Sequence, residues 1–416
     1  MLLVLDAAGA RYFGCYGNAL PTTPRIDAFA EDATLFERAY AQAAFTLPSM
    51  GSVMTGRYPP VRAVDLSVVE PQMLAQVLHE AGLRTAAFSE NPFVTHGFGM
   101  ATGFEEFKEY FPFELVLNSP LGFGRRDSER TVDHALSWVR KTKGERFFLY
   151  VHILAPHAPY DPLPPFGGRF DPDYRGAVHG LPKTLAAIDQ NELAIDARDL
   201  EHLRLQYQEN LAYADHQAGR LLDGLEALGV LDRTLVIIAG DHGEAFREHG
   251  AMEHNTTVYE EMIHVPLVVR MPSEAALPQR FGGVVELRSI FPTICEALGI
   301  ASCPERLAPS LFEQVRRDGE RPGLARSWAR RRNRILAALV LQRHKLIARV
   351  DELEPLALYD LARDAGETKD LRLAQPELVR ETLSRLRDPS VEFFVGREAA
   401  VDPATRERLE ALGYTQ

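Results

Sequence analysis

Two acidic positions in the sequence directly follow short apolar runs. Asp6 ends the run at residues 2–5, and Asp241, with His242 beside it, follows the run at 235–240. If both runs are strands of an α/β sheet, their carboxyl ends lie where ligands collect. Each carboxylate could instead cap a helix or a turn. Because an adjacent Asp and His can offer oxygen and nitrogen to one cation, the pattern predicts a divalent metal site.

The residue types also bear on the identity of the metal. An imidazole beside carboxylates suits Zn²⁺ or Mn²⁺, whereas Ca²⁺ prefers a shell made only of oxygen. His242 therefore favours Zn²⁺ or Mn²⁺, and Ca²⁺ stays possible if the imidazole is a peripheral ligand.

A third candidate, Thr46, lies just before a predicted helix that opens with Leu47 and Pro48. The amino end of a helix is positively polarised and stabilises anions, so a hydroxyl oxygen there is well placed for chemistry on an anionic group. Taken alone, Thr46 could simply cap the helix.

The elements that must position these residues follow an α/β rhythm. Helices are predicted at 73–81 and 201–228, where Gly82 and Gly229 stand at the expected C-cap positions. Nearly continuous apolar runs are typical of strands covered on both faces, as in doubly wound folds. The predicted strands are at residues 2–5, 85–88, 147–151, 235–238 and 265–269.

The pattern changes near residue 310. Residues 335–340, 345–350 and 356–360 resemble short antiparallel strands before a final helix. We therefore predict a catalytic domain at 1–310 and a small C-terminal α+β subdomain at 311–416. The stretch 161–196 is rich in Pro, Gly and Asp, which predicts a rim or lid over the site, with a mobile loop as the alternative.

The net charge of −12 argues against nucleic acid as a partner, because phosphate contacts need clustered Lys and Arg. A bound cation would instead hold an anionic ester substrate locally. The three cysteines are too few and too scattered to predict a disulfide. Oligomeric state is not indicated.

No apolar run approaches the ~20 residues of a membrane span. Met1 directly precedes the first apolar run, without the charged region of a signal peptide. The protein is expected to be cytoplasmic if Met1 is its native start, and extracytoplasmic if a leader has been lost.

The order of motifs along the chain resembles the sulfatase family of the alkaline phosphatase superfamily. The resemblance implies a three-layer doubly wound sheet and a metal-dependent hydrolase acting on sulfate, phosphate or phosphonate esters. Five segments carry it, at residues 3–6 with 14–17, 46–56, 152 with 156–160, 241–244, and 259–261 with 265–267.

Position by position, the resemblance makes Asp6, Asp241 and His242 metal ligands. It makes Thr46 the nucleophile, which also touches the metal. A divalent cation lowers the pKa of a bound hydroxyl and neutralises charge that develops on a transferring group, so this assignment is chemically sound.

The same resemblance places four residues on the substrate side. His157 and His254 are implied as catalytic residues that bind the anion or protonate the departing oxygen. His152 and Asn255 are implied as further substrate-binding residues. Each histidine could equally be structural.

Three positions depart from the family pattern. Sulfatases of the main branch convert a Cys or Ser at the Thr46 position to formylglycine, next to an Arg where this chain has Met50. Threonine carries a methyl group on Cβ and cannot form that aldehyde, so no formylglycine is expected. Threonine nucleophiles occur instead in the phosphodiesterase and lipoteichoic-acid-synthase branches. Ala7 replaces a second metal-binding Asp, which leaves the number of metals open.

The resulting prediction is hydrolysis of a sulfate, phosphate or phosphonate ester through Thr46. Two alternatives stay open: transfer of the phosphoryl or sulfuryl group to an alcohol acceptor, and a non-catalytic homologue that binds an anion.

Overall fold

The computed structural model describes residues 1–60, 66–68, 72–110, 128–142, 144–162, 164–272, 277–304, 308–317, 323–331, 334–350, 352, 354–386 and 396–398. Its strands are β1 (Leu2–Asp6), β2 (Thr34–Tyr40), β3 (Leu66–Val68), β4 (Arg84–Ser89), β5 (Glu106–Glu109), β6 (Phe147–Pro156), β7 (Val236–Gly240), β8 (Ala245–Phe246), β9 (Met252–Glu253), β10 (His264–Val265), β11 (Leu267–Arg270), β12 (Arg280–Glu286), β13 (Leu324–Arg331), β14 (Arg334–Leu341), β15 (His344–Arg349), β16 (Glu354–Asp360) and β17 (Gly396–Glu398). Its α-helices are α1 (Pro24–Glu31), α2 (Thr46–Thr55), α3 (Leu74–Glu80), α4 (Ser128–Lys141), α5 (Pro182–Asp189), α6 (Ala197–Ala227), α7 (Glu260–Ile263), α8 (Ile290–Leu298), α9 (Leu311–Arg316) and α10 (Pro376–Leu386).

The main sheet is mixed and has nine strands. Strands β7, β1, β6, β4 and β5 are parallel neighbours. Beyond β7, strand β11 runs antiparallel and pairs with β2, which also pairs with β10 and β12. The predicted α/β fold is confirmed. The sheet is mixed because the strands beyond β7 include antiparallel pairs, a feature that the apolar runs do not reveal.

Strand β1 lies at the centre of this sheet and feeds two hydrophobic cores. Leu2 and Val4 point to one face, where they join the core that contains the apolar residues of α2, α3 and α8. Leu3 and Leu5 point to the other face, toward α1, α4 and α6. Alternation along a strand sends successive side chains to opposite faces. Helices therefore cover both faces, which gives the three layers.

The C-terminal region forms the predicted antiparallel sheet, in the order β13-β14-β15-β16. Helix α10 packs on it through Val379, which contacts Leu346 and Leu358. The first strand, β13, was not predicted from the sequence. The domain boundary near residue 310 stays a prediction.

Strand β13 also contacts the segment that leads into α2, here called the pre-α2 segment (residues 41–45). The amide of Trp328 donates to Gln42 O at 3.1 Å, and the amide of Ala44 donates to Trp328 O at 3.1 Å. The Ser327 hydroxyl donates to Ala41 O. The C-terminal sheet thus holds the backbone directly before Thr46.

One prediction about cysteine is wrong. Cys295 and Cys303 form a disulfide, whose Cα atoms are 6.0 Å apart. Helix α8 ends between them at Gly299, which adopts a left-handed conformation with φ 64° and turns the chain back toward the helix. The count and spacing of cysteines did not show this reversal. Cys15 is a free thiol.

The stretch 161–196 contains α5 and lies against α6. The backbone amides of Gly168 and Phe170 donate to the two carboxylate oxygens of Glu209, at 2.9 and 2.7 Å. These contacts anchor the stretch to α6, and its place as a rim or lid over the site stays a prediction. Within the described part of the chain, no helix is both long and apolar enough to cross a bilayer.

Candidate active site

The carboxyl ends of β1 and β7 bring Asp6 and Asp241 together. The two strands are parallel, with Leu5 opposite Gly240, so each acidic residue comes next on its strand. Ala7, with φ 54°, turns the chain at this point. Its amide donates to Asp241 Oδ1 at 2.9 Å, and this contact fixes the carboxylate.

The third member of the cluster is His242. Its Nδ1 lies 2.9 Å from the carbonyl oxygen of Gly243, which can only accept, so in the neutral ring Nδ1 carries the proton and Nε2 carries the lone pair. That Nε2 is 3.7 Å from Asp6 Oδ1 and 3.5 Å from Asp241 Oδ2. All three side chains are completely buried.

These three residues fit a divalent cation. Their ligand atoms all lie within 4.8 Å of one another. Asp241 Oδ2 is buried and has no hydrogen-bond partner among the described residues. Burial raises the pKa of Asp241, because two neighbouring carboxylates in an apolar interior are costly without a cation. Two carboxylates and an imidazole with an available lone pair are a donor set suited to Zn²⁺ or Mn²⁺.

Thr46 stands beside this cluster as the first residue of α2. Its Oγ1 lies 3.2 Å from His242 Nε2 and 3.5 Å from Asp6 Oδ1. Phe45 is extended, with φ −158° and ψ 142°, so the helix begins at Thr46. The Ser49 hydroxyl donates to Asp241 O at 2.6 Å and ties the first turn of α2 to the end of β7.

Asn91 completes this side of the site, and the sequence analysis missed it. Its Nδ2 donates to Thr46 Oγ1 at 3.3 Å and also to Asp6 Oδ2. The residue follows β4, whose carboxyl end lies at the same edge of the sheet as that of β1. The rule that identified Asp6 and Asp241, a polar residue after an apolar run, also applies to Asn91.

Two predicted histidines, His254 and His157, lie next to His242 in turn. The ring of His254 is 4.6 Å from that of His242 and 4.8 Å from that of His157, measured between centroids. Phe45 stacks on His254 at 6.2 Å. Burial lowers the pKa of His157 and, together with the charge of His242, lowers that of His254 to about 3. A bound anion would raise both pKa values, because it stabilises the imidazolium.

Glu244 is a second residue that the site contains and the sequence analysis did not assign. It is fully buried, and its Oε1 lies 3.0 Å from His254 Nδ1. Burial raises the pKa of its carboxyl to about 7. Its place in the run 241–244 marked it as near the site, but nothing in the sequence pairs it with His254.

His152 and Asn255 are placed differently from His157 and His254. His152 is fully buried on β6, between the Tyr150 hydroxyl at 2.7 Å and Asp6 Oδ2 at 3.4 Å. Asn255 has φ 75°, and its amide donates to Ala44 O at 2.8 Å. The structure thus places His152 next to Asp6, and the Asn255 backbone helps to hold the pre-α2 segment. Their roles in substrate binding stay predictions.

Known proteins share this sequence pattern. The Sulfatase family matches residues 1–300 of the chain. Iduronate 2-sulfatase of Homo sapiens is 25% identical over an alignment 399 residues long, gaps included; the alignment covers 74% of this chain and 70% of that protein. Arylsulfatase K of Bos taurus is 23% identical over an alignment 442 residues long, gaps included; it covers 93% of this chain and 80% of that protein.

Solved structures share the fold. The phosphonate monoester hydrolase of Agrobacterium radiobacter superposes with a TM-score of 0.74 at 20% identity, covering 96% of this chain and 97% of that one. The phosphonate monoester hydrolase of Silicibacter pomeroyi gives 0.75 at 20%, covering 94% and 95%. A 2-O GAG sulfatase gives 0.71 at 19%, covering 93% and 90%. With the family match spanning most of its length, the chain belongs to the sulfatase family of the alkaline phosphatase superfamily.

Proposed function

We propose that this protein hydrolyses a phosphate, phosphonate or sulfate ester, with Thr46 as the nucleophile. One observation carries the proposal: Thr46 Oγ1 lies 3.2 Å from His242 Nε2 and 3.5 Å from Asp6 Oδ1. Capping a helix does not require a hydroxyl to lie among buried carboxylates and an imidazole, so capping alone does not explain the position of Thr46.

Asp6, Asp241 and His242 would hold one divalent cation, with Zn²⁺ or Mn²⁺ preferred over Ca²⁺. When bound, the cation supplies positive charge that lowers the pKa of a nearby hydroxyl and neutralises charge on the transferring group. Asn91 Nδ2, 3.3 Å from Thr46 Oγ1, donates a hydrogen bond that orients the nucleophile and favours its deprotonated form.

The chain's residues then act in two steps. Deprotonated Thr46 Oγ1 attacks the phosphorus or sulfur, the bond to the leaving alcohol breaks, and His254 or His157 gives a proton to the departing oxygen. In the second step the same histidine takes a proton from water, the water oxygen attacks the Thr46 ester, and the bond to Oγ1 breaks. The phosphate, phosphonate or sulfate leaves as the free anion, and Thr46 Oγ1 returns to its deprotonated form.

Three positions favour a phosphorus ester over a sulfate ester. Thr46 cannot become formylglycine, Met50 is buried in the core where the family pattern has an Arg, and Ala7 replaces a second Asp. Similar solved structures include both phosphonate monoester hydrolases and a 2-O GAG sulfatase, which keeps both kinds of ester within the proposal.

The test is a panel of aryl sulfate, phosphate monoester, phosphodiester and phosphonate monoester substrates, assayed with Zn²⁺, Mn²⁺ and Ca²⁺. We expect turnover of a phosphorus ester with Zn²⁺ or Mn²⁺. Thr46→Ala should remove this activity, and Thr46→Ser, which keeps a hydroxyl, should retain part of it. Mass spectrometry of rapidly acid-quenched protein should find a phosphoryl or phosphonyl group on the peptide that contains Thr46.

Undiminished turnover by metal-loaded Thr46→Ala would falsify the proposal. If added alcohols yield a transferred product and water yields none, the activity is transfer instead of hydrolysis. If no ester is turned over and elemental analysis finds no metal, the chain is an anion-binding homologue.

A further inference from the structure

We propose that Glu244 is a positioning residue, which holds the His254 ring with Nδ1 turned away from the substrate and Nε2 turned toward it. The inference rests on the proposed function, because it assigns His254 to the leaving oxygen. In the proposed arrangement, a buried carboxylate that does not itself touch the substrate fixes the orientation and tautomer of an acid–base histidine.

The β8–β9 hairpin brings the two residues together. Ala245 pairs with Glu253 and Phe246 pairs with Met252 in an antiparallel ladder. Continuing this register by one position places Glu244 opposite His254. Side chains at opposed positions of an antiparallel pair lie close together. The separation of ten residues is therefore set by the hairpin, and the 3.0 Å contact between Glu244 Oε1 and His254 Nδ1 follows from it.

Two other buried carboxylates of this chain have a different use. Glu209 accepts two backbone amides of the rim, and Asp215 accepts the amides of Arg25 and Ile26 at the start of α1. Both carboxylates satisfy backbone donors and so stabilise the fold. Among the described residues, Glu244 accepts no backbone amide, and its hydrogen bond goes to the ring of His254. The hydroxyl of Tyr160 faces the same carboxylate.

The surroundings of His254 give the orientation a chemical consequence. A carboxylate oxygen opposite Nδ1 makes Nδ1 the donor of a neutral ring, so the lone pair lies on Nε2, at the opposite edge. His242 and His157 flank the ring, and Phe45, the neighbour of Thr46, stacks on it. A half-turn of the imidazole would exchange ring carbon for nitrogen at both edges of the ring. The hydrogen bond to Glu244 prevents this rotation.

The proposal is tested with Glu244→Leu, which removes the acceptor, and Glu244→Gln, which keeps an oxygen able to accept from Nδ1. For substrates with alkyl leaving groups, we expect kcat of Glu244→Leu to fall by ~10²-fold, within the range of general acid catalysis. For 4-nitrophenyl esters, whose leaving group needs little protonation, the fall should be less than ~10-fold. Glu244→Gln should recover most of the alkyl-ester activity, and KM should change little in either variant.

A second readout does not depend on turnover. In protein labelled with ¹⁵N-histidine, NMR at alkaline pH should show His254 protonated on Nδ1, with its signals identified by their loss in His254→Gln. In Glu244→Leu the proton should redistribute toward Nε2. Glu209→Leu serves as the matched control, since it removes another buried carboxylate and should lower stability without changing the ratio of alkyl to nitrophenyl activity.

An unchanged His254 tautomer in Glu244→Leu would overturn the proposal. So would an equal loss of activity on alkyl and nitrophenyl esters, because that result marks a purely structural role. If wild-type protein turns over no ester, the proposed function fails, and the tautomer measurement still decides whether Glu244 orients the ring.

Discussion

Both sheets of this protein have buried carboxylates, but the groups that accompany these carboxylates differ between the two sheets. At the end of the main sheet, Asp6 and Asp241 are buried with His242 as the third member of the cluster. At the C-terminal sheet, Lys345 is fully buried between two carboxylates, 3.0 Å from Glu260 and 2.9 Å from Glu367.

The cluster around Lys345 stabilises the fold, whereas the cluster around Asp6 is the candidate functional site. The cluster around Lys345 contains its own cation, which is fixed on β15 and links the C-terminal sheet to α7. The cluster around Asp6 has two carboxylates and an imidazole with an available lone pair, so we expect a cation from solution to balance its charge. We therefore expect the cluster around Asp6 to bind added metal and the cluster around Lys345 to be unaffected by it.

The largest effect is expected for Asp241→Asn. Removing one of the three predicted ligands should reduce bound Zn²⁺ or Mn²⁺ to background. It should also lower kcat/KM by well over the ~10–100-fold loss that follows substitution of residues which only support metal ligands. Elemental analysis and kinetics measure both. Stability in the presence of a chelator should stay the same or rise, because the substitution removes one of two neighbouring buried carboxylates.

Wild-type protein treated with the same chelator is the control, and its melting temperature should fall on metal removal. Full metal content in Asp241→Asn would contradict the assignment of this residue and remove the contrast between the two clusters.

The next effect is on stability. Lys345→Met leaves Glu260 and Glu367 buried without a cation, so we expect a loss of ~3–5 kcal/mol in the free energy of unfolding. Urea unfolding measures this loss, which should be the same with and without chelator.

A triple variant sharpens the result. Lys345→Met combined with Glu260→Gln and Glu367→Gln removes all three charges, and its stability should return close to that of the wild type. If Lys345→Met alone costs less than ~1 kcal/mol, the cluster is not the buried ion network described above.

The smallest effect is a pH dependence at the contact between the two sheets. His249 Nδ1 lies 2.8 Å from Glu261 Oε1, and the ring stacks on Tyr259 at 3.6 Å. Burial lowers the pKa of His249, but the charge and hydrogen bond of Glu261 raise it more, so the pKa lies above its usual value. The resulting stabilisation is present below pH ~6.5 and is lost as the pH rises through the raised pKa.

His249→Gln should therefore lose stability relative to the wild type at low pH and lose less at high pH. Because the ring is partly exposed, the difference should be at most ~1 kcal/mol. Unfolding of both proteins measured across this pH range tests the prediction. If the difference in unfolding free energy between wild type and His249→Gln grows as the pH rises, the prediction is wrong.

Sequence reasoning identified the residues that follow strands. Asp6, Asp241 and His242 meet in space because parallel neighbours end at one edge of the sheet, and apolar runs reveal such ends. Asn91 also follows a strand, but an amide side chain does not by itself indicate a metal site. His152 has its Nε2 3.4 Å from Asp6 Oδ2, a contact that a continuous apolar strand does not reveal, and its role in substrate binding stays a prediction.

Contacts that depend on register could not be predicted. The pairing of Glu244 with His254 requires the ladder of the β8–β9 hairpin, and hydrophobic periodicity gives no register for strands of two residues. Strand β13 was missed because its arginines conceal the alternation that marks a strand. The order of strands beyond β7 also required the structure.

The hydrogen bond from Ser327 to Ala41 spans 286 residues of chain. Contacts this distant in sequence close large loops, and proteins rich in them fold slowly. During synthesis, the pre-α2 segment can make these contacts only after β13 has been made, when the strands that end at Asp6 and next to Asp241 have already left the ribosome. The backbone directly before Thr46 therefore depends on a part of the chain that is made later than every predicted metal ligand.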